Sequence, residues 1–122
     1  MRLMIVDDSM IIRRRIKRAV EEYSLEVVGT ANDGTEAVEL VQVAKPEIVT
    51  MDLTMPEMDG IQCIEEILKI DPSLKILVVS ALADKAMAIQ AMKKGALGFL
   101  CKPFTESQIT TALYKLVKGA AA

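Results

Sequence analysis

The chain contains no histidine, only two cysteines and only four aromatic residues among its 122 positions. Without an imidazole, no Ser-His-Asp or Cys-His arrangement is available, and the nitrogen ligands of most zinc sites are missing. Cys63 and Cys101 stand far apart and outside any CxxC pair, so a disulfide scaffold is also a poor reading. An excess of basic charge is lacking as well. The 15 Lys and Arg residues against 17 Asp and Glu leave a formal charge of -2, which gives no general attraction to nucleic acid or anionic lipid. Long apolar runs are absent: the longest, Ile76 to Ala83, is broken by Ser80, and Leu3 to Val6 runs directly into Asp7 and Asp8. Neither a membrane span nor a signal peptide is read, so cytoplasmic residence is expected. Any chemistry must run on carboxylates, hydroxyls and lysines.

What is present is ample apolar material. A hydrophobic content of 52% fills one core of ordinary size, and the whole of 1–122 reads as a single domain without linker or repeat. Five short β-branched and aliphatic runs alternate with amphipathic stretches of about ten to fifteen residues, which is an α/β pattern. Leu3 to Val6, Ile48 to Met51 and Ile76 to Val79 are almost wholly apolar, as strands covered on both faces must be. Leu25 to Thr30 carries a glutamate and suits an edge, and Leu97 to Cys101 makes the fifth strand. Helical spacing joins Ile12, Ile16, Ala19, Val20 and Tyr23, then Ala37, Leu40, Val41 and Ala44, and finally Ile109, Ala112, Leu113, Leu116 and Val117. Thr105-Glu106-Ser107-Gln108 has capping-box form, Asp84 is placed to cap a helix that Gly95 ends, and Asp71-Pro72 closes the helix before strand four.

In a parallel α/β sheet, ligands bind beyond the carboxyl ends of the strands, where strand order reverses. Strand one ends in Asp7-Asp8, strand three in Asp52, strand four in Ser80 and strand five in Cys101-Lys102-Pro103. If strands one and three are neighbours, three carboxylates converge. Two such charges about 5 Å apart repel by roughly 3 kcal/mol at an effective dielectric near 20, so a cation belongs among them. Oxygen ligands without histidine or thiolate favour a hard divalent ion, Mg²⁺ before Ca²⁺. A metal and Lys102 facing a carboxylate form an arrangement suited to phosphoryl transfer.

Four motifs stand at the strand ends: Val6-Asp7-Asp8-Ser9, Met51-Asp52-Leu53-Thr54-Met55-Pro56-Glu57-Met58-Asp59-Gly60, Ser80-Ala81 and Lys102-Pro103-Phe104. In this order they resemble the receiver domains of two-component response regulators, in particular the single-domain chemotaxis regulators. The resemblance runs from about Arg2 to Lys118. It implies a flavodoxin-like, doubly wound sheet of five parallel strands in the order 2-1-3-4-5 with five helices. It implies that Asp52 accepts a phosphoryl group from a histidine kinase or phosphotransfer domain. Asp7, Asp8, Asp52 and the backbone carbonyl of Thr54 are then the expected Mg²⁺ ligands. Ser80 takes the place of the switch hydroxyl, Lys102 that of the lysine pairing with a phosphoryl oxygen, and Phe99 that of the switch aromatic. The expected readout surface is helix four, strand five and helix five.

Within that family, Thr54 and Leu82 flank the path of the water that removes the phosphoryl group. Leu82 offers that water no hydrogen bond, which implies a long-lived phosphorylated form. The expected partners are a kinase and a flagellar motor switch protein, with a phosphatase as a further candidate, and the chain is expected to be monomeric. The basic run Arg13, Arg14, Arg15, Lys17 and Arg18 reads as a solvated helix face that suits an acidic kinase or phosphotransfer domain better than nucleic acid. Service as a phosphate relay or sink, or as a receiver unit of a longer regulator, fits the same residues. A haloacid-dehalogenase-type phosphohydrolase fits less well, because Asp52-Leu53-Thr54 lacks a second aspartate. A flavodoxin-like electron carrier lacks its hydroxyl-rich loop after strand one, where two acids stand instead. The chain is therefore read as a phosphoacceptor and not as an enzyme with an external substrate.

Overall fold

Each β-branched run of the sequence forms a strand, and each amphipathic stretch returns over the sheet as a helix. A computed structural model describes residues 1–119, the side chain of Leu82 excepted. In chain order the elements are β1 (Arg2–Val6), α1 (Met10–Ala19), β2 (Glu26–Ala31), α2 (Gly34–Ala44), β3 (Ile48–Met51), α3 (Gly60–Ile70), β4 (Lys75–Ala81), a 3-10 turn (Leu82–Asp84), α4 (Lys85–Lys93), β5 (Gly98–Lys102) and α5 (Glu106–Gly119). All four strand pairings are parallel, in the order β2-β1-β3-β4-β5. The α/β class, the strand order and the five helices expected from the sequence are those observed.

Alternation along the strands divides the core in two. Met4, Val6, Val49, Met51, Ile76 and Val78 pack with α2, α3 and α4, while Leu3, Ile5, Ile48, Leu77 and Val79 pack with α1 and α5. Both faces are covered, which is why the three central strands are nearly pure apolar runs. Thr50 is the exception, with a buried hydroxyl that has no partner among the described residues.

Polar residues begin the helices directly beyond the strands. The side chains of Ser9, Asp33 and Asp59 each accept the amide three residues on, at 3.3, 2.8 and 2.9 Å, and so start α1, α2 and α3. Thr105 and Gln108 exchange capping-box bonds of 3.1 and 2.8 Å before α5. Gly95, at φ +121, follows α4 in a conformation that side chains rarely adopt, and Asp71 ends α3.

Three expectations need correction. Tyr23 lies beyond the end of α1 and is exposed, because the helix stops at Ala19 and three turn residues intervene. Asp84 borders α4 yet makes no side-chain cap, its carboxylate being engaged by hydroxyls elsewhere. Ser80 and Lys102 lie inside strands rather than after them, since the β4–β5 ladder continues through Ser80↔Cys101 and Ala81↔Lys102.

Candidate functional site

The strand order reverses at β1, which has β2 on one side and β3 on the other, and this opens the crevice beyond the carboxyl ends of β1 and β3. Two backbone bonds carry the ladder past the strands into that crevice. The Asp7 amide donates to the Ala31 carbonyl at 3.0 Å, and the Asp52 amide donates to the Val6 carbonyl at 2.9 Å. These bonds fix the first acidic residue after each strand side by side.

One carboxylate oxygen each from Asp7, Asp8 and Asp52 lies within 4.8 Å of the others. Asp7 and Asp52 are buried, and Asp8 is exposed at the rim. Lys102 reaches in from β5, its Nζ 2.8 Å from Asp7 Oδ2 and 3.6 Å from Asp52 Oδ1. One ammonium against three carboxylates leaves the pocket short of positive charge. Burial and the Asp7 charge push the Asp52 carboxyl up to about 7, against the opposing pull of Lys102 and of the Thr54 amide, which donates to Asp52 Oδ1 at 3.3 Å.

The donor set fits Mg²⁺: hard oxygens, few of them, converging from two loops with one side open to water. Asp7, Asp8 and Asp52 are the side chains that would hold the ion, which would supply charge neutralisation beside the Asp52 carboxylate. The raised carboxyl has a measurable consequence without metal. Between about pH 4 and pH 7 the folded chain keeps a proton on Asp52 that the unfolded chain has released, so stability falls as pH rises through that window. Metal-free protein is expected to be more stable at pH 5 than at pH 8 by an amount on the order of 2 kcal/mol, discounted for screening. Urea denaturation at the two pH values, with and without saturating Mg²⁺, measures it. The difference should shrink when the ion holds Asp52 ionised.

Of the remaining expected residues, Thr54 contacts this group through its amide, and Ser80 is joined to Thr54 through Asp84. Ser80 is fully buried and donates to Asp84 Oδ2 at 2.9 Å, so its hydroxyl proton is committed to another carboxylate. The Thr54 hydroxyl donates to the same oxygen at 3.2 Å. Phe99 is half-buried on β5 opposite Val78 and packs against the cluster that includes α4. Leu82 opens the 3-10 turn, and its side chain lies outside the described residues.

Three residues of the site went unread in the sequence. Arg13 belongs by spacing to a solvated basic face, yet its guanidinium turns inward and donates to the Asp7 backbone carbonyl at 2.6 Å, bracing the acidic loop. Gly60 begins α3 against the backbone of the loop after β3: a Cβ there would meet the Asp52 carbonyl oxygen and lie 2.5 Å from Leu53 Cα. The Asp59-Gly60 pair was the visible signal, because a helix-starting glycine after a capping aspartate marks a close backbone approach. Asp84 is the third. On the same loop, Glu57 holds φ 70, in the left-handed region, between the Pro56 carbonyl and the Met58 amide that bond at 2.9 Å.

Acids at the ends of β1 and β3, a hydroxyl from β4 and a lysine from β5 on a 2-1-3-4-5 sheet define a response regulator receiver, and residues 3–114 match the family model described as the response regulator receiver domain. The chain belongs to that family, whose members are phosphorylation-activated signalling switches of two-component systems. It is 50% identical over 117 residues to the chemotaxis protein CheY of Thermotoga maritima, spanning 96% of this chain and 98% of that one. It is 44% identical over 118 residues to the chemotaxis protein CheY of Listeria monocytogenes, covering 97% and 99% of the two chains. Among solved structures, the CheX-CheY-BeF3-Mg complex from Borrelia burgdorferi superimposes with a TM-score of 0.89 at 30% identity, over 95% of this chain and 88% of that one. Among the described residues, no helix is long and apolar enough to cross a membrane.

Proposed function

We propose that the chain is a single receiver domain, 1–122, whose Asp52 takes a phosphoryl group from a phosphohistidine of a chemotaxis kinase or phosphotransfer domain and thereby controls a flagellar motor switch protein. The observation that carries this reading is the buried Asp52 carboxylate at the end of β3, flanked by Asp7, Asp8 and Lys102. A carboxylate oxygen of Asp52 attacks phosphorus. The O–P bond forms as the P–N bond of the donor breaks, and the electron pair goes to the departing imidazole nitrogen, which then takes a proton. Asp7, Asp8, Asp52 and the Thr54 carbonyl are the proposed Mg²⁺ ligands, and Lys102 pairs with a phosphoryl oxygen once it leaves Asp7. The chain promotes its own phosphorylation and has no external substrate.

The switch follows from hydrogen bonding. New charge-assisted contacts from Ser80 and Lys102 contribute about 1.5 to 3 kcal/mol each, against about 5.5 kcal/mol needed to invert a 1:99 equilibrium. Phe99, opposite Val78 and packed against the cluster that holds Ala88 and Ala91 of α4, carries the change to the α4-β5-α5 face, where Ile89, Met92 and Leu97 are exposed apolar side chains. The kinase side is served by α1, where Ile11, Arg14, Arg15 and Arg18 line a groove with Phe104 and Glu106. The proposed setting is the cytoplasm, with the chain monomeric and a phosphatase as a third partner. The strong match to chemotaxis regulators along the whole chain favours motor control over a phosphate sink.

Capture of partners with the chain loaded with Mg²⁺ and beryllofluoride, against the unloaded chain, separates these outputs. A motor-control regulator gains a motor switch protein on loading. Equal capture in both states would instead support the relay or sink.

A further inference from the structure

Asp84 borders α4 with φ -95 and ψ 17 and leaves the helix without a side-chain cap, although aspartate is among the best residues for that position. Ser9, Asp33 and Asp59 at the starts of α1, α2 and α3 all make the bond that Asp84 forgoes. Its Oδ2 instead accepts two hydroxyls, Ser80 at 2.9 Å and Thr54 at 3.2 Å. A single carboxylate oxygen thus ties β4, the loop after β3 and the start of α4 together.

Both hydroxyls belong to the neighbourhood of Asp52. Thr54 touches the two carboxylates at once, its amide on Asp52 Oδ1 and its hydroxyl on Asp84 Oδ2. A serine hydroxyl has one proton, so Ser80 cannot donate to a group on Asp52 while it donates to Asp84. A phosphoryl group on Asp52 would also add up to two negative charges to a carboxylate that shares Thr54 with Asp84, and like charges repel.

We propose that Asp84 is a latch: in the unphosphorylated chain it holds the Ser80 and Thr54 hydroxyls, and phosphorylation of Asp52 releases it to cap α4. The inference rests on Asp52 as the acceptor and adds to that reading the residue that opposes the switch. One side chain with two alternative sets of partners is a two-state element joining the pocket to the first turn of α4. Asp84 acts through Ser80 and Thr54 and is a positioning residue.

The test titrates the full chain with beryllofluoride at saturating Mg²⁺. Asp84→Ala is expected to tighten binding about tenfold, equivalent to about 1.4 kcal/mol, and Asp84→Asn, a weaker acceptor of the same shape, to tighten it less. In a Ser80→Ala background, the gain from Asp84→Ala should fall to about threefold or below, because the bond it breaks is already gone. Equal gains in both backgrounds would mean that Asp84 acts by charge alone and would overturn the latch, as would no gain in either. A second measurement needs no ligand: amide exchange across Ala88 to Ala91, the helix-bonded amides of α4, should quicken in Asp84→Ala in metal-free protein, and unchanged exchange would contradict the resting-state tie. If the unsubstituted chain binds no beryllofluoride, the acceptor reading of Asp52 fails, while the exchange measurement still decides whether Asp84 tethers α4.

Discussion

Replacing Lys102 with methionine is expected to move two measurements in opposite directions, with Mg²⁺ bound about tenfold more tightly and phosphorylation of Asp52 slowed about a hundredfold. The first effect is electrostatic. The Lys102 ammonium lies 2.8 Å from Asp7 and 3.6 Å from Asp52, both buried, so it occupies the field in which the ion would sit. Removing one unit charge a few ångströms away in a pocket of intermediate dielectric relieves repulsion of the ion by more than 1 kcal/mol. The second effect has the sign of a lost donor. A preorganised cation aimed at developing negative charge typically contributes a factor of about 10² to 10³, and methionine fills the space without supplying the charge. Fluorescence or calorimetric titration gives the first number and the rate of label uptake from a small phosphodonor gives the second. A variant that lost both together would point to collapse of the pocket rather than to the division of labour described above.

Gly60→Ala is expected to destabilise the chain by about 3 kcal/mol and to slow phosphorylation severely. Intrinsic propensity argues the other way, since alanine in a helix is favoured over glycine by about 1 kcal/mol. Contact decides the sign. The added methyl meets the Asp52 carbonyl oxygen and Leu53 Cα, and these are backbone atoms that cannot rotate aside. The Gly60 amide also donates to the Leu53 carbonyl at 3.0 Å, so α3 cannot retreat without losing that bond. Overpacking of this kind costs about 1 to 3 kcal/mol or more, and a displacement near 1 Å at the acceptor costs roughly a hundredfold in rate. Chemical denaturation and label uptake together check it, and a variant with unchanged stability would mean that the loop yields.

Much of this arrangement is legible in the sequence because the fold is driven by local patterns. Continuous apolar runs mark β1, β3 and β4 as central, the glutamate in β2 marks an edge, and the capping box before α5 forms as its residues require. The polar residues flush against those runs, Asp7, Asp8, Asp52, Ser80 and Lys102, are brought to one rim by the parallel topology alone. What could not be read depends on meetings between distant segments. Asp84 has the spacing of a cap, and only the folded chain brings it the hydroxyl of Thr54 from thirty residues away. Arg13 belongs by spacing to a basic face, and the carbonyl that turns it inward is free because Asp7 has left the β1 ladder. Tyr23 continued a helical period past a helix that had already ended.

The central claim is that Asp52 is where the phosphoryl group goes. It is tested most directly by incubating the full chain and Asp52→Asn with a radiolabelled small phosphodonor, with Mg²⁺ and with chelator. The account predicts one labelled site per chain with Mg²⁺, label lost with chelator, and label absent from Asp52→Asn although that variant keeps its fold. Full labelling of Asp52→Asn would contradict it.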